Sequence, residues 1–414
     1  MDTEQRLNIL AESSRFDLAC SCKQSDEPGR VRGPEGRWIY PAALPSGRKV
    51  FLLKTLQTNA CKNDCSYCPF NNSRDFRRCT IEPERLATTF MDLLGTGRVS
   101  GLFLSSGVQD GPDATMDRML ATVELLRKRH LFRGFIHLKV IPGADTAAIE
   151  QAVRLATRVS VNIEAPSAAR LERLSHNKRF HEDIITAMQT IYRLNSLQNR
   201  RCDQTTQFVV GAAGESDREI VTATSRLYQK FEMARVYFSA YQNLAIQQHH
   251  NDHNNHNGHN GDDDHNGDDD HNGNDDHHGH DNHNNYRQGM LFDDMPTVRQ
   301  RPPADSFVRE HRLYQVDFLL RKYGFSTNDI YFDATGNLSH QYDPKTVWAR
   351  RHPEFFPVDV NRAERWQLLR VPGIGPIGAD RLLKARRQSR IHCLQDLGQL
   401  GIRSRTAVAY LNCL

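Results

Sequence analysis

The sequence predicts an α/β fold in which six strands and their helices build part of a barrel. Short apolar runs recur between residues 49 and 243, and amphipathic segments of 12 to 16 residues separate them. Apolar strands that alternate with helices indicate a parallel sheet covered on both faces. Six repeats are fewer than the eight that close a complete (β/α)8 barrel, so we expect an open or partial (β/α)6 barrel.

The elements follow one another at regular intervals. The predicted strands are 49–58, 99–107, 132–143, 158–166, 205–215 and 234–243. The predicted helices between them are 82–97, 114–130, 145–157, 181–195 and 216–231. The carboxyl ends of parallel strands share one rim, where the chemistry of such folds is found. Here these ends carry polar and small residues, namely Cys61, Cys65, Cys68, Ser105, Ser106, Gly107, Lys139, Asn162, Glu164 and the segment 211–215.

The length and composition divide the chain into several parts. A chain of 414 residues suggests two or three domains. We assign 1–48 to an N-terminal segment, 49–246 to the barrel, 289–360 to a connecting helical region and 361–414 to a small all-α domain. The sequence has no apolar run of about 20 residues and no signal-peptide pattern at its start. We therefore expect a cytoplasmic protein without a membrane partner.

The segment between the two halves has an unusual composition. Residues 249–285 contain ten Asp, no Lys or Arg and no apolar residue. Such a segment cannot bury enough surface to offset the entropy of ordering, so 247–288 is predicted to be a disordered insertion. Weak chelation of divalent metals by its His and Asp residues is an alternative role. The rest of the chain has 54 basic and 40 acidic residues, an excess of positive charge that favours a polyanionic partner.

Three of the nine cysteines lie in the stretch 59–70, "NACKNDCSYCPF". Thiolates hold iron–sulfur clusters, and three of them can bind three irons of a cubane while the fourth iron stays open. The alternative is a structural zinc site with Cys79 as the fourth ligand, although zinc sites usually pair cysteines as C-x2-C units. Cys20 and Cys22 raise the question of an auxiliary cluster.

The C-x3-C-x2-C spacing after the first strand, with Tyr67 before the last cysteine, resembles the radical S-adenosylmethionine (radical SAM) superfamily. The resemblance implies that Cys61, Cys65 and Cys68 bind a [4Fe-4S] cluster and that SAM binds its open iron. It also implies SAM cleavage to a 5′-deoxyadenosyl radical, with electrons from a donor such as flavodoxin or ferredoxin. The implied SAM contacts are Tyr67, Ser105, Ser106, Gly107, Asn162, Glu164, Gly211 and Gly214. The acidic residue common after the second strand of this superfamily is absent from "SSGV" (105–108).

The second distinctive stretch is "LLRVPGIGPIGADRLLKARR" (368–387). Pro376 suits the first turn of a helix, and backbone amides at a helix N-terminus can bind phosphate. The stretch resembles the helix-hairpin-helix (HhH) motif, and 396–411 resembles a degenerate second copy. The implied nucleic-acid contacts are Pro372, Gly373, Ile374, Gly375, Arg381 and Lys384, with added charge from Arg386 and Arg387. A helical hairpin that packs on the barrel or on a protein is the alternative.

Both parts together resemble one family, the DNA modification/repair radical SAM proteins, in which a radical SAM domain precedes an HhH. Segments such as "TNACKNDCSYCPFNNSRDFRR", "GLFLSSGVQDGPDATM" and "VPGIGPIGADRLL" carry this resemblance. It implies DNA as the substrate and a uracil-DNA-glycosylase-like protein as a partner. Two alternatives remain: a tRNA-modifying radical SAM enzyme, and a non-catalytic DNA-binding protein with a structural zinc.

Overall fold

The computed structural model describes residues 2–14, 31–32, 38–43, 49–197, 202–242, 244–245, 298–299, 304–392 and 397–413. The predicted insertion at 247–288 lies outside these residues, as do Cys20, Cys22 and Cys393. The chain forms two compact units, 1–242 with 301–414 and 243–300.

One sheet of eight strands, ordered as in the sequence, forms the centre of the larger unit. The strands are β1 (Val31–Arg32), β2 (Trp38–Ala43), β3 (Lys49–Leu56), β4 (Gly101–Ser105), β5 (Phe135–Lys139), β6 (Arg158–Ser160), β7 (Asp203–Val210) and β8 (Arg235–Ala240). Strands β3 to β8 are parallel, which confirms the six predicted strands and the partial barrel. The short antiparallel strands β1 and β2 extend the sheet beyond β3, and the sequence did not reveal them.

Helices cover the outer face of these strands. They are α1 (Thr3–Ser13), α2 (Pro83–Gly95), α3 (Pro112–Glu124), α4 (Thr146–Leu155), α5 (Ala168–Glu172), α6 (Thr186–Leu197), α7 (Asp217–Phe231) and α8 (Ala304–Lys322). A π-helical turn, Leu125–Arg129, extends α3, and another, Phe180–Ile185, precedes α6. Helix α8 packs on β8 and α7. The region 289–360, predicted to be a connecting helical region, therefore contains α8, a helix that packs on the sheet of the half-barrel.

The two faces of the parallel strands differ in chemistry. Residues Leu102, Ile136 and Val159 are fully buried in the apolar core. The opposite face mixes aromatic and polar side chains: His137 Nε2 lies 2.9 Å from Ser160 Oγ, and the centre of the His137 ring lies 4.5 Å from that of Phe103. Closed barrels fill this inner face with branched apolar side chains. A partly polar inner face therefore suits an open barrel that admits a polar ligand.

Strand β8 is the free edge of the sheet, and side chains cover it. Alternate amides of β8 donate to side-chain oxygens of α7 and α8: Val236 to Tyr228 (2.9 Å), Phe238 to Tyr314 (3.1 Å) and Ala240 to Glu310 (2.7 Å). Unpaired edge amides invite pairing with another chain. Helix α8 therefore terminates the half-barrel at this edge.

Helix α9 (Pro344–Arg351) packs on the first core through Trp348 and Ala349. A second apolar core lies in the C-terminal region. Its helices are α10 (Arg365–Arg370), α11 (Pro376–Gln388) and α12 (Ser404–Ala407). The region is helical as predicted, except that two short strands, Val358–Asp359 and Leu411–Asn412, pair in parallel.

In the smaller unit, the strands Leu244–Ala245 and Val298–Arg299 pair antiparallel. Within the described part of the chain, no helix has the length and apolar character needed to cross a membrane.

Candidate active site

The residues between β3 and α2 form an irregular segment, 57–79, that we call the cysteine loop. It carries Cys61, Cys65 and Cys68, of which Cys65 is buried and the other two are half-buried. None of the three forms a disulfide. The loop leaves the carboxyl end of β3, so the structure places these thiols at the rim of the half-barrel.

Arg78 holds the cysteine loop in shape. Its guanidinium donates to four backbone carbonyls, those of Asn59 (2.8 Å), Phe70 (3.0 Å), Asn71 (3.0 Å) and Arg74 (3.0 Å). A loop without regular structure must satisfy its buried backbone groups through side chains. Hydrogen bonds to a charged donor are among the stronger ones, so Arg78 substitutes for a helix or strand here.

The end of β4 lies directly against the cysteine loop. The Gly107 amide donates to the Thr58 carbonyl at 2.7 Å, and the Val108 amide lies 3.4 Å from Cys61 Sγ. A Cβ at Gly107 would stand 2.4 Å from the Ala60 carbonyl oxygen. Glycine is therefore required for the contact between the two segments.

Ser105 and Ser106 also use their polar groups locally. The Ser105 carbonyl accepts from the Gln57 amide at 2.8 Å. The Ser106 hydroxyl donates to the Gly107 carbonyl at 2.8 Å. These bonds align β4 with the cysteine loop.

Glu164 follows β6 in a strained conformation. Its φ is +62°, a left-handed value that a residue with a Cβ rarely adopts. Its amide donates to the Gln207 carbonyl, and its own carbonyl accepts from the Val209 amide, both at 2.9 Å. The side chain is buried, and within the described residues its Oε2 has no hydrogen-bond partner. A buried carboxylate oxygen without a donor fits a ligand hydroxyl or amine.

Lys178 is a site residue that the sequence analysis missed. Its Nζ lies 3.1 Å from the Tyr67 hydroxyl and 3.5 Å from Glu164 Oε1. Burial lowers the pKa of Lys178, but the charges of Cys65 and Glu164 outweigh it and raise the pKa above its ordinary value. Burial, followed by the charge of Cys65, raises the pKa of Tyr67 well above its usual range. Lys178 is thus a cation with an 11% exposed side chain, placed between the thiols and the strained carboxylate.

Asp64 fixes the segment that carries Lys178. Its carboxylate accepts from the Ser175 hydroxyl at 2.5 Å and from the His176 amide at 2.9 Å. The Ser66 amide donates to the Leu174 carbonyl at 2.8 Å. Since these partners are more than 100 positions apart in the chain, only the fold shows their proximity.

The segment after β7 forms a tight turn with Gly211 at φ +90° and Gly214 at φ +65°. The buried Glu215 carboxylate accepts from the Gly211 and Ala213 amides. Arg309 of α8 lies 3.5 Å from the same carboxylate. Both glycines are solvent-exposed. Asn162, two residues before Glu164, and Lys139 at the end of β5 are half-buried.

The three thiols fit a polynuclear cluster better than a single ion. Burial, followed by the charge of Cys65, raises the pKa of Cys68 to about 12, so ionised thiols here need a nearby cation. Across the described ranges, no three His, Cys, Asp or Glu side chains converge as ligands of one ion. Ligands of a cubane bind different irons and need not converge on one point.

Cys79, the suggested fourth zinc ligand, is buried beneath α1. Its Sγ lies 3.9 Å from the Arg6 carbonyl oxygen. Burial raises the pKa of this thiol, and the charges that act on it are those of Arg6 and Arg77. Cys79 therefore packs against the N-terminal helix rather than beside the other three thiols.

The second candidate site is the turn 371–375 between α10 and α11, which we call the hairpin. The side chains of Pro372 and Ile374 are buried, so a ligand would meet the backbone. Gly373 has φ +86°, and a Cβ there would stand 2.9 Å from the Arg403 carbonyl oxygen. The Arg403 amide donates to the Gly373 carbonyl at 3.3 Å. The hairpin thus packs at Arg403 on the segment 396–411, which resembles a second HhH copy.

The basic residues near the hairpin have different roles. Lys384 and Arg387 are exposed on α11. Arg381 is also exposed and donates to the Leu400 carbonyl at 3.3 Å. Arg386 is half-buried and donates to the Val360 carbonyl at 3.1 Å, so it stabilises the domain. The charge available to a ligand is therefore smaller than the sequence indicates.

Comparison with known proteins gives a family match for the region that contains the cysteine loop. Residues 56–227 match the radical SAM superfamily. No curated protein matches the chain. Solved structures that match include HydG, a maturase of the [FeFe]-hydrogenase, at 14% identity and a TM-score of 0.39. HydG from Carboxydothermus hydrogenoformans matches at 15% identity and 0.39, and methylornithine synthase (PylB) at 16% and 0.38.

These matches are partial. They cover 47%, 47% and 46% of this chain, and 44%, 45% and 54% of the other proteins. The chain thus spans about half the length of the structures that it matches.

Proposed function

We propose that this chain, whose residues 56–227 are a radical SAM domain, is an enzyme that modifies nucleic acid held by its C-terminal region. The cofactors of this superfamily are a [4Fe-4S] cluster and SAM. The observation that carries the proposal is the cysteine loop at the rim, opposite Lys178 and the strained Glu164. The site would combine metal ligands, a cofactor carboxylate and a fixed cation.

Cys61, Cys65 and Cys68 would hold the cluster. When bound, the cluster and SAM supply an organic radical that can abstract hydrogen from a substrate. Lys178 would offset part of the negative charge of the thiolates, from which water is largely excluded by burial. Arg78 and Gly107 keep the loop in the shape that this binding requires.

Glu164, Tyr67 and the end of β4 would bind SAM. The free Oε2 of Glu164 suits a ribose hydroxyl or the SAM amine. Tyr67, tied to Lys178 by the 3.1 Å contact, would lie beside the adenine. Asn162, Ser105, Ser106, Gly107, Gly211 and Gly214 complete the proposed contacts, through side chain or backbone.

The hairpin supports nucleic acid as the substrate class. Two helices flank a glycine turn and the second begins at Pro376, which supports the HhH motif proposed for this region. Amides at a helix N-terminus bind phosphate, and Lys384 and Arg381 lie on the same helix. A base inside a duplex cannot reach the rim, so the substrate would be locally opened or flipped. DNA is our first choice and tRNA the alternative.

Two proteins would assist this reaction. Each cleavage of SAM consumes one electron, which a flavodoxin or ferredoxin would supply. A uracil-DNA-glycosylase-like protein would act on the same DNA.

The cofactor part is tested by anaerobic reconstitution. The wild type should bind about four irons, absorb near 400 nm (roughly the thiolate-to-iron region) and form 5′-deoxyadenosine from SAM with a reductant. Cys65→Ala should lose the iron and this product, whereas Cys79→Ala, a buried thiol outside the site, should keep both. A colourless protein that retains one zinc after reconstitution would favour the non-catalytic alternative.

The nucleic-acid part is tested by fluorescence anisotropy with duplex DNA, single-stranded DNA and tRNA. Affinity should fall as salt rises, because phosphate contacts release counterions. Replacing Gly373 and Gly375 together with bulky residues should abolish binding. Preference for tRNA would select the alternative, and no binding to any of the three would refute this part.

A further inference from the structure

A buried lysine lies directly beneath the hairpin. Lys345 belongs to the first turn of α9 and is 7% exposed. Its Nζ donates to the carbonyl of Ile374, a residue of the hairpin, at 2.6 Å. A buried ammonium is costly unless its partners compensate it. A lysine in this place therefore needs a reason beyond packing.

The surroundings of Lys345 tie the hairpin to the end of α8. The Nζ lies 4.8 Å from the centre of the Tyr323 ring. A Cβ on Gly375 would stand 3.3 Å from the Tyr323 hydroxyl. The aromatic ring and the lysine thus support the hairpin from the side of the half-barrel.

Arg370, the last residue of α10, makes a second connection to the same region. Its guanidinium lies 3.9 Å from the centre of the Phe325 ring and 3.0 Å from Asp329 Oδ1. The hairpin is therefore held on its N-terminal side by Arg370 and at Ile374 by Lys345.

We propose that Lys345 is a positioning residue for the hairpin, whose charge strengthens the binding of a nucleic-acid phosphate by the hairpin amides. This rests on the nucleic-acid binding proposed above. The hydrogen bond to Ile374 fixes the direction of the turn. The positive charge behind the turn adds to the partial charges of the amides in a region of low dielectric.

The charge of Lys345 can be changed by pH. Burial lowers its pKa to about 7, Asp343 at the start of α9 raises it, and Arg370 lowers it. Tyr323 also faces it, and Arg403 acts on Tyr323. A neutral amine can still donate to Ile374, so a rise in pH removes the charge and leaves the hydrogen bond. A bound phosphate favours the charged form, so binding should take up a proton.

The test measures the affinity for a fluorescein-labelled DNA duplex by anisotropy from pH 6 to pH 8.5 at constant ionic strength. The wild type should lose roughly tenfold in affinity over this range. Lys345→Arg, which stays charged, should bind with a flatter pH profile. Lys345→Met should bind weakly at every pH with the same flatter profile. Lys384→Met, an exposed control, should lower affinity but keep the wild-type profile.

The outcomes separate the two proposals. A wild type that binds no nucleic acid refutes the proposed function, and this inference falls with it. A wild type that binds, with its own pH profile unchanged in both Lys345→Arg and Lys345→Met, overturns the inference alone. If circular dichroism shows that Lys345→Met does not fold, Lys345→Arg alone decides. A flatter pH profile of its affinity supports the inference, and the wild-type profile overturns it.

Discussion

The cysteine loop and the hairpin are both irregular segments at which a glycine permits close backbone contact, from the end of β4 in the first case and from within the hairpin in the second. Gly107 lies against the Ala60 carbonyl, and Gly373 lies against the Arg403 carbonyl. They differ in what surrounds them. The cysteine loop has no helix or strand of its own and depends on side chains such as Arg78. The hairpin is flanked by two helices and lies over an apolar core.

This difference predicts different sensitivities to mutation. A loop whose backbone is satisfied by a few polar side chains should fail when one of them is removed. A turn between packed helices should tolerate changes except where a Cβ would collide with backbone. Each site also has a lysine that is distant in sequence but adjacent in space, Lys178 at the rim and Lys345 under the hairpin.

The largest effect is expected for Arg78→Met. The substitution removes a charged donor from four carbonyls, which should cost about 3 kcal/mol or more of stability. Iron content after anaerobic reconstitution should fall severalfold, with a lower melting temperature. Arg77→Met, at the exposed neighbouring position, is the matched control and should behave as the wild type. Full iron loading of Arg78→Met would contradict this account of the loop.

The next effect concerns SAM binding. Glu164→Gln removes the charge of a carboxylate whose Oε2 has no hydrogen-bond partner among the described residues. Because a charge-assisted hydrogen bond would be lost, SAM binding should weaken roughly 10- to 100-fold. Equilibrium dialysis with the reconstituted protein measures it. Glu219→Gln is the control, because that carboxylate already bonds Arg170 and Ser216. Equal SAM affinity in both variants would remove Glu164 from the site.

The hairpin predicts a smaller and position-specific effect. Gly373→Ala forces a Cβ to 2.9 Å from a carbonyl oxygen at φ +86°, so it should cost about 2 kcal/mol. Gly398→Ala, where nothing lies within 4 Å of the added Cβ, should be nearly neutral. Urea unfolding followed by circular dichroism would compare the two. Equal stability would show that the packing of the two turns is looser than described.

The most gradual effect is the pH dependence of stability from Lys345. Its pKa of about 7 in the folded state lies below the ordinary value of 10.5. Between these two values the unfolded chain binds more protons, so rising pH should stabilise the fold. The wild type should gain on Lys345→Met by at most about 1.4 kcal/mol per pH unit from pH 7 upward. Urea unfolding of both proteins at pH 7, 8 and 9 measures it. A constant difference between their free energies of unfolding would contradict the lowered pKa of Lys345.

The sequence was sufficient for the order of the parallel strands. Each strand is an apolar run of local residues, and the helices between them have a clear period, so β3 to β8 could be predicted. Strands β1 and β2 were missed because they are short, and β2 contains a proline. Helix α8 was placed in a connecting helical region rather than in the barrel, since a long polar insertion separates it in sequence from β8.

The site was predictable only where its residues are adjacent in the chain. The spacing of Cys61, Cys65 and Cys68 and the strand-end position of Glu164 point to it directly. Lys178 lies in "LSHNKRF", which has no period or motif, and its place is set by Asp64 from a distant segment. Arg386 shows the opposite error, because a basic residue in a basic run proved to bond carbonyls of its own domain.

The most direct test of the account is mass spectrometry of DNA incubated with the reconstituted, reduced enzyme and SAM. The account predicts a modified nucleoside that appears together with 5′-deoxyadenosine, and the absence of both with Cys65→Ala. Parallel reactions with tRNA identify the alternative substrate. A fully loaded enzyme that cleaves SAM but leaves both DNA and tRNA unchanged would contradict the proposal that the rim and the hairpin serve one reaction.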